Sequence, residues 1–326
     1  MSLVLSEADV RRVLPMGDLI DAMQRALVEF SARRVQQPLR SVLQVGQAHA
    51  FFGVMPAFIP ASGALGTKLV TVFGSNAERG LPSHLATILM LDSETGQLLA
   101  VMDGRYVTEA RTAAVSAVSA KLLAREGAAT LALIGSGVQA RSHLEALAHV
   151  RKLREVRVWS PRADSRRKFI SDMQAHSPAP IVDAGSARDA VAGADLVVLA
   201  TASHEPVVMS DWIGAGTHIC AVGACRPDQR EMDSALVKRA RVLVDSRTAA
   251  MAEAGDLVIP IEEGAITPEH IVGELGELAA GSVTGRSSND EVTIFKSLGL
   301  AVEDVAAGDL VLARAKAQGL GRQLSM

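Results

Sequence analysis

Between residues 130 and 246, short apolar runs alternate with helical patterns, and this alternation limits the folds open to the chain more than any other feature. Most neighbouring runs are separated by a segment with helical periodicity. Strands without a polar face, joined through helices, are typical of a parallel sheet with helices on both sides. The sequence therefore predicts an α/β fold with a doubly wound parallel sheet. The predicted strands are TLALIG (130–135), EVRVWS (155–160), PIVDA (180–184), DLVVLATA (195–202), HICAVGA (218–224) and RVLVDS (241–246).

The segments before and after this series follow other patterns. Two β-rich runs, TKLVTVF and HLATILMLD, flank turn-forming residues and predict an antiparallel sheet. A helix is expected to begin at Thr108, whose side chain can cap it. The C-terminal segment predicts an amphipathic helix that could pack back on the N-terminal part. Because 326 residues have room for about two domains, we expect one domain from each pattern.

Composition excludes several classes of protein. Only 3% of the residues are aromatic and the net charge is -3, which argues against a nucleic-acid partner. Glu7 and Asp9 interrupt the start of the chain, and no run approaches the ~18 apolar residues of a membrane helix. We therefore expect a cytoplasmic protein without a membrane partner. The two cysteines and the spacing of the histidines predict neither a disulfide framework nor a metal site.

Residues 135–140, GSGVQA, fit the dinucleotide-binding pattern G-x-G-x-x-G/A between a predicted strand and a predicted helix. Gly135 permits a tight turn, and Gly137 lets backbone amides approach a pyrophosphate at the N-terminus of the helix. A glycine-rich connection without a ligand is the alternative. The context favours a nicotinamide dinucleotide.

The end of the second strand normally decides between the two nicotinamide cofactors, since an acidic residue there binds the ribose hydroxyls and repels a 2′-phosphate. Here the strand ends at Ser160 and is followed by Arg162, with Arg166 and Arg167 one helical turn later. A hydroxyl and guanidinium groups suit a phosphate, so the sequence favours NADPH over NADH. The alternative is that these arginines form a solvated helix face.

The residues that follow the fourth and fifth predicted strands are expected near the nicotinamide, because ligands of open α/β sheets lie outside the carboxyl ends of the strands. They include Thr201 and Val222. Cys225 lies in the same region and could reach the reacting centre. A small buried hydrophobe is the commoner role of a lone cysteine, and this alternative stays open.

Two cations occupy positions that the pattern would give to apolar side chains. Arg111 falls in the first turn of the predicted helix, on the face of Val115 and at the positive end of the helix dipole. Lys68 shares one face of its strand with Val70. Both positions indicate an anion close by. The alternatives are a structural ion pair for Arg111 and, for Lys68, an edge-strand lysine that reaches water.

With these residues the sequence resembles the ornithine cyclodeaminase/mu-crystallin family over essentially its whole length, and it looks closest to the mu-crystallin, ketimine-reductase branch. The resemblance implies a homodimer with a Rossmann-type NAD(P)-binding domain over residues 121–294. It also implies an α+β substrate-binding and dimerisation domain built from both chain ends, 1–120 plus 295–326. The matching strings are GVMPAF, TKLVT, LPSHLAT, LLAVMDG, EARTAAVSA, IGSGVQARSH, AVGACRPDQRE, VDS and FKSLGLAVED.

The resemblance implies roles for individual residues as well. The positions around the carboxylate of an amino or imino acid are matched by Arg40, Lys68 and Arg111. The positions that contact the cofactor are matched by Ser83, Arg111, Val138, Gln139 and Thr201. The positions that close the pocket over cofactor and substrate are matched by Ser297 and Leu298.

One departure from the family separates two reactions. Cyclodeaminases carry an aspartate where this chain has Cys225, and a thiol cannot do its acid-base work at neutral pH. The resemblance therefore implies NADPH-dependent reduction of a small cyclic imino acid, 1-pyrroline-2-carboxylate to L-proline or 1-piperideine-2-carboxylate to L-pipecolate. Lys68 would be catalytic, with Cys225 beside the substrate. Ornithine cyclodeamination, alanine or opine-type dehydrogenation, a non-enzymatic cofactor-loaded binding protein, and NADH as cofactor remain as alternatives.

Overall fold

The computed structural model describes residues 2–46 and 50–325. The chain divides into two compact units, a first unit of Met1–Arg111 with Gly299–Met326 and a second unit of Thr112–Leu298. The family resemblance implies domain boundaries at 120/121 and 294/295, and these stay a prediction. The strand Thr293–Lys296 is hydrogen-bonded within the sheet of the second unit.

The regular elements of the described residues are numbered in chain order. The strands are β1 (Ser2–Leu5), β2 (Ser41–Val45), β3 (Ala50–Ile59), β4 (Ala64–Phe73), β5 (His84–Leu91), β6 (Leu98–Asp103), β7 (Thr130–Ile134), β8 (Glu155–Trp159), β9 (Ile181–Asp183), β10 (Leu196–Leu199), β11 (His218–Ala221), β12 (Arg241–Val244), β13 (Ile271–Glu274), β14 (Thr293–Lys296) and β15 (Arg322–Leu324). The α-helices are α1 (Glu7–Val13), α2 (Met16–Ser31), α3 (Arg105–Leu123), α4 (Val138–Val150), α5 (Ala163–Met173), α6 (Ala187–Val191), α7 (Ser234–Arg239), α8 (Arg247–Glu253), α9 (Gly255–Glu262), α10 (Leu275–Ala279) and α11 (Ala301–Gln318). Short 3-10 segments are Gly74–Arg79, Gln174–His176, Ser210–Trp212 and Pro268–His270.

In the first unit, the described strands form a sheet in the order β15-β1-β6-β5-β4-β3-β2. Neighbouring strands are antiparallel except β1 and β6, so the predicted antiparallel pairing of TKLVTVF with HLATILMLD is confirmed. Helix α11 packs on β3, β4 and β5, and α1 and α2 pack on α11. Helix α2 buries Leu19, Met23 and Leu27, because a spacing of four residues puts them on one side of a helix. The C-terminal helix thus packs on the N-terminal sheet, as its amphipathic pattern suggests.

In the second unit, the described strands form a wholly parallel sheet in the order β13-β12-β14-β11-β10-β7-β8-β9. The interior strand β7 is buried on both faces, and Leu131 to Ile134 have no exposed surface. The chain runs outward from β7 to β9 and returns to β10 on the other side of β7. The predicted doubly wound α/β fold is confirmed. The strand order reverses between β7 and β10, which is the switch point where such sheets bind ligands.

Helix α3 begins at Arg105, three residues before the predicted cap, so the prediction of Thr108 as N-cap is wrong. The carboxylate of Asp103 accepts the backbone N–H groups of Arg105 and Tyr106, both at 3.1 Å. Thr108 lies inside the helix, where its hydroxyl donates to the carbonyl oxygen of Gly104 at 2.7 Å. Arg111 therefore lies in the second turn, and the helix dipole opposes it less than the sequence suggests.

In the described part of the chain, no helix is both long and apolar enough to cross a membrane. Within residues 2–46 and 50–325, no three His, Cys, Asp or Glu side chains converge as a metal site would require.

Candidate functional site

The turn after β7 requires glycine at Gly135. Its φ of +117° is rarely adopted by residues with a side chain, and a Cβ atom there would lie 2.5 Å from the carbonyl oxygen of Ala200. Gly137 is the N-cap of α4, and a Cβ atom there would meet no heavy atom within 4 Å. The turn is thus closed on the side of the sheet and open at the start of the helix. The open side is where backbone N–H groups can receive an anion.

Two side chains follow this turn on α4. Val138 is half exposed, and the buried Oε1 atom of Gln139 has no hydrogen-bond partner among the described residues. A buried carbonyl oxygen without a donor is costly, so a ligand with a donor group would be favoured beside it.

His143 connects this region to α3 and was not among the predicted site residues. Its Nδ1 atom donates to the carbonyl oxygen of Gln139 at 2.7 Å, and its Nε2 atom accepts the hydroxyl of Ser116 at 2.9 Å. Burial lowers the pKa of His143 to about 4, so the ring is neutral at neutral pH. Its position four residues after Gln139, on one face of the helix, is the sequence signal that could have found it.

The end of β8 presents hydroxyl and guanidinium groups. The buried Ser160 hydroxyl lies 2.9 Å from that of Ser136, and Arg166 donates to the Ser160 carbonyl oxygen at 2.6 Å. Arg166 also pairs with Asp183 at 2.6 Å. Arg162, the N-cap of α5, is exposed and forms no ion pair within the described ranges. Among the arginines predicted to bind a phosphate, Arg162 is therefore the one whose guanidinium group forms no ion pair within the described ranges.

The remaining predicted residues of the second unit lie at the carboxyl ends of β10, β11 and β14. Thr201 follows β10, and Val222 follows β11, where its N–H donates to the carbonyl oxygen of Leu199 at 2.9 Å. Cys225 is half-buried, and its thiol lies 3.4 Å from the carbonyl oxygen of Val222. After β14, the buried Ser297 and Leu298 are both held by Asp245. Its Oδ2 atom accepts the Ser297 hydroxyl at 3.3 Å and the Leu298 N–H at 2.5 Å.

In the first unit, Lys68 and Arg111 belong to a buried charge cluster with Glu303 and Asp304. Lys68 Nζ lies 2.6 Å from Asp304 Oδ2, and Arg111 Nε lies 3.0 Å from Asp304 Oδ1. Arg111 Nη1 also pairs with Glu303 Oε2 at 2.5 Å. The two acids lie in the first turn of α11, where the helix dipole favours negative charge. Asp304 thus holds the two predicted cations side by side.

Burial and neighbouring charges change the acidity of this cluster. Burial lowers the pKa of Lys68 to about 8, although the Asp304 carboxylate acts in the opposite direction. Burial also opposes ionisation of Asp304, yet the charges of Arg111 and Lys68 outweigh it and hold the pKa of Asp304 below its usual value. His84, at the start of β5, has a pKa lowered to about 4 by burial and then by Lys68 and Arg111. Its ring is therefore neutral beside two cations.

The cluster settles two open alternatives from the sequence. Arg111 does form an ion pair with internal carboxylates, and the exposed edge-strand interpretation of Lys68 is wrong, because Lys68 is only 2% exposed. Sequence reasoning missed Glu303, Asp304 and His84. Two adjacent acids in a largely apolar helix were the available signal. The predicted Arg40 and Ser83 lie outside the buried cluster, before β2 and β5, where Arg40 is partly and Ser83 largely exposed.

Comparisons with known proteins match the chain along nearly its whole length. The family model described as ornithine cyclodeaminase/mu-crystallin family matches residues 1–319. The ketimine reductase mu-crystallin of Mus musculus is 42% identical over 296 residues, which cover 90% of this chain and 90% of that protein. The structure of Thermococcus litoralis Delta(1)-pyrroline-2-carboxylate reductase in complex with NADH and L-proline has a TM-score of 0.95 and 38% identity, covering 99% of this chain and 100% of that one. An archaeal alanine dehydrogenase dimer with bound NAD has a TM-score of 0.93 and 32% identity, covering 100% of this chain and 99% of that one.

Proposed function

The chain belongs to the ornithine cyclodeaminase/mu-crystallin family, as its motifs predict, and we propose that it is an NAD(P)H-dependent reductase of small cyclic ketimine carboxylates. The observation that carries the proposal is the buried cluster in which Asp304 holds Lys68 beside Arg111. An ammonium and a guanidinium group in one protected place suit a substrate with a carboxylate and a C=N bond. Two relatives support the same class, since they are named as a ketimine reductase and a Delta(1)-pyrroline-2-carboxylate reductase.

The proposed substrates are 1-pyrroline-2-carboxylate, which gives L-proline, and 1-piperideine-2-carboxylate, which gives L-pipecolate. Addition of hydride to the imine carbon of the N-protonated substrate would turn the C=N bond into a secondary amine. A bound NAD(P)H would supply that hydride and leave as NAD(P)⁺. The protein has to bind the carboxylate and keep the imine nitrogen protonated, because a protonated imine accepts hydride more readily.

Each of these tasks is assigned to particular side chains. Arg40 and Arg111 would bind the substrate carboxylate. Lys68 would contact it as well and would keep the imine nitrogen protonated, directly or through a water molecule. With a pKa of about 8, Lys68 is mostly charged at neutral pH and yet gives up its proton more easily than an ordinary lysine. Cys225 and Leu298 would line the space around the substrate ring.

The residues present fit a dinucleotide. Its pyrophosphate would lie over Gly135, Gly137 and the first turn of α4, where a Cβ atom on Gly137 meets open space. The Oε1 atom of Gln139 would gain the donor that it lacks. The other residues that would contact the cofactor are Ser83, Arg111, Val138, Thr201, Val222 and Ser297.

We further propose that NADPH is preferred to NADH. The support is the pair of Ser160 and Arg162 at the end of β8, where the residues that follow the strand include no acid before Asp164. The exposed Arg162 can bind a 2′-phosphate without giving up another partner. Two structural relatives were solved with NADH and NAD, so the proposed preference rests on Ser160 and Arg162 of this chain.

Alanine dehydrogenation is the second candidate, because the archaeal alanine dehydrogenase is 32% identical. In the reductive direction, that reaction needs a 2-oxo acid and a free amine in place of a preformed cyclic imine. Ornithine cyclodeamination is disfavoured by Cys225, since a half-buried thiol cannot bind and deprotonate an amine as a carboxylate does.

We also propose that the functional unit is a homodimer. The first unit exposes apolar side chains around its edge strand β2, with Leu39, Val42 and Leu43 each more than half exposed. A second copy is the proposed partner because the related alanine dehydrogenase is a dimer. Light scattering at low protein concentration checks this, and a monomer mass would contradict it.

The reductase proposal is tested by following the oxidation of NADPH and NADH with a panel of substrates. The panel contains 1-pyrroline-2-carboxylate, 1-piperideine-2-carboxylate, and pyruvate with ammonia or methylamine. We expect turnover with the cyclic imines and much less with pyruvate and amine. Ammonia release from ornithine without added reductant would indicate the cyclodeaminase reaction instead, and no turnover with any substrate would leave a non-enzymatic binding protein.

A further inference from the structure

Two loops leave neighbouring strands at the carboxyl edge of the parallel sheet, residues 200–203 after β10 and residues 222–225 after β11. The strands pair directly from Leu196 and His218 to Leu199 and Ala221. The loops carry Thr201, Val222 and Cys225, which the topology of an open α/β sheet places toward the nicotinamide. Hydride transfer depends on how closely such loops hold the ring to its reacting geometry.

Glu231 joins these two loops through one carboxylate. Its Oε1 atom accepts the N–H of Thr201 at 2.6 Å. Its Oε2 atom accepts the N–H groups of Gly223 at 2.9 Å and Ala224 at 3.2 Å. Glu231 has no exposed surface. A fully buried carboxylate with three backbone donors is a strong local constraint, because charge-assisted hydrogen bonds are the stronger ones.

The packing around Gly223 leaves no room for a side chain between the two loops. A Cβ atom on Gly223 would lie 2.1 Å from the carbonyl oxygen of Thr201 and 2.6 Å from Oε1 of Glu231. The two loops therefore approach each other as closely as backbone allows. A change in the Glu231 carboxylate has to move at least one of them.

A second carboxylate and a lysine lie behind Glu231. Asp256 accepts the backbone N–H of Glu231 at 2.7 Å and pairs with Lys296 at 3.0 Å. Lys296 has no exposed surface and also faces Cys225. Burial and then the Asp256 charge raise the pKa of Glu231 to about 7, against the opposing effect of Lys296. Asp256 from α9 and Lys296 from β14 are thus the charged groups that face Glu231.

We propose that Glu231 is a positioning residue for the nicotinamide half of the cofactor, acting through the two loops that its carboxylate joins. The inference rests on the proposed function, because it requires a nicotinamide dinucleotide at this edge of the sheet. It predicts a selective effect. The adenosine half would be held by the turn of Gly135 and by Ser160, and none of the hydrogen bonds of the Glu231 carboxylate goes to either.

The test compares Glu231→Gln with a matched control, Asp195→Asn. Asp195 accepts the N–H groups of Ala129 and Thr130 at 2.9 and 3.0 Å, but at the amino end of the sheet. Both variants are expected to lower the Tm. Only Glu231→Gln should lower kcat, by about tenfold or more, because its amide nitrogen cannot accept an N–H.

Binding measurements separate the two halves of the cofactor. The probes are 2′-phospho-ADP-ribose and ADP-ribose, which lack nicotinamide, compared with NADPH and NADH. Glu231→Gln should weaken the complete cofactors and leave the fragments within about twofold. In the unmodified protein, lowering the pH from 8 to 6 should also reduce the affinity for the complete cofactor relative to the fragment, since Glu231 becomes protonated. Asp195→Asn should keep that pH dependence.

The proposal is overturned if Glu231→Gln keeps the kcat of the unmodified protein, or if it weakens fragments and complete cofactors equally. Should Glu231→Gln not fold, Glu231→Asp, shorter by one methylene, is measured in the same way and read by the same criteria. The pH comparison needs no variant, and an unchanged affinity ratio between pH 8 and 6 would also count against the proposal. If the unmodified protein binds neither dinucleotide, it is the proposed function that fails.

Discussion

The ammonium of Lys68 and the carboxylate of Asp304 lie 2.6 Å apart, and at most 3% of either side chain is exposed to solvent. Lysine loses its proton easily when it is buried alone, since burial penalises the charged form. Here Asp304 opposes that effect, and the pKa of Lys68 is about 8. Removing one partner of a buried pair leaves an uncompensated charge and typically costs about 3–5 kcal/mol. Loss of either partner should therefore destabilise the first unit, and Asp304 also sets the charge of the proposed catalytic residue.

The first prediction concerns the pH dependence of reduction. Because the proton of Lys68 is needed, kcat/KM for the cyclic ketimine should fall as the pH rises through about 8. The rate is measured with NADPH between pH 6 and 10. Any activity that remains in Lys68→Arg should lack this decline, since arginine does not titrate in that range. A rate for the unmodified protein that stays constant to pH 10 would argue against Lys68 as the proton donor.

The second prediction concerns Asp304→Asn, which removes the charge that opposes deprotonation of Lys68. The decline of kcat/KM should move to lower pH, and activity at neutral pH should fall by about tenfold or more. Glu303→Gln is the comparison, because Glu303 pairs with Arg111 and raises the pKa of Lys68 less than Asp304 does. Its shift should be smaller. Equal shifts in the two variants would contradict a specific role for Asp304.

A matching effect on stability follows from the lowered pKa of Lys68. Between about pH 8 and the ordinary lysine value of 10.5, the unfolded chain binds more protons at Lys68 than the folded chain does. The contribution of Lys68 to the free energy of unfolding should therefore rise with pH across this window. Urea unfolding of the unmodified protein and of Lys68→Met at pH 8 and 10 measures it. If the folded pKa of Lys68 is not lowered, the difference in the free energy of unfolding between the two proteins should be the same at pH 8 and pH 10.

Much of this fold could be predicted from local patterns, because the strands and helices of the second unit depend on residues that are close together in the sequence. The strands of residues 130–246 alternate with helices, and β7, β8, β10, β11 and β12 form where their apolar runs predict them. The insertion of β14 between β11 and β12 could not be foreseen, since β14 is only four residues long and lies about fifty residues further along the chain than β12. The cap of α3 was misjudged because Asp103 and Thr108 are both cap-forming residues within six positions, and sequence alone does not rank them.

The candidate site was predicted in part for a similar reason. Lys68 and Arg111 stood out because a cation on an apolar face needs an anion. The anion itself could not be named, because Asp304 is 193 residues away from Arg111 and only the packing of α11 on the sheet brings them together. Glu231 was missed because its carboxylate accepts backbone N–H groups. Every residue except proline has such a group, so the sequence does not show which of them are paired with a side chain.

The choice of cofactor is tested at Arg162. Arg162→Ala should raise the KM for NADPH by about tenfold, as expected for the loss of one charge-assisted hydrogen bond of about 1.5 kcal/mol, and should change the KM for NADH little. Arg167→Ala is the control, because Arg167 is exposed one turn later and pairs with Asp164. If both KM values stay unchanged in Arg162→Ala, Arg162 does not bind the 2′-phosphate of NADPH.

The two glycines of the β7–α4 turn should respond differently to the same substitution. Gly135→Ala forces a side chain into a φ of +117° and to 2.5 Å from the carbonyl oxygen of Ala200, so it should lower the free energy of unfolding by roughly 1–3 kcal/mol and weaken cofactor binding as well. Gly137→Ala meets open space at a φ of −83°, so its Tm should be nearly unchanged. Its methyl group would nevertheless occupy the space that a pyrophosphate needs, and the Kd for NADPH should rise. Thermal unfolding and fluorescence titration of both variants measure these effects. If Gly137→Ala binds NADPH as tightly as the unmodified protein, the pyrophosphate does not lie over this turn.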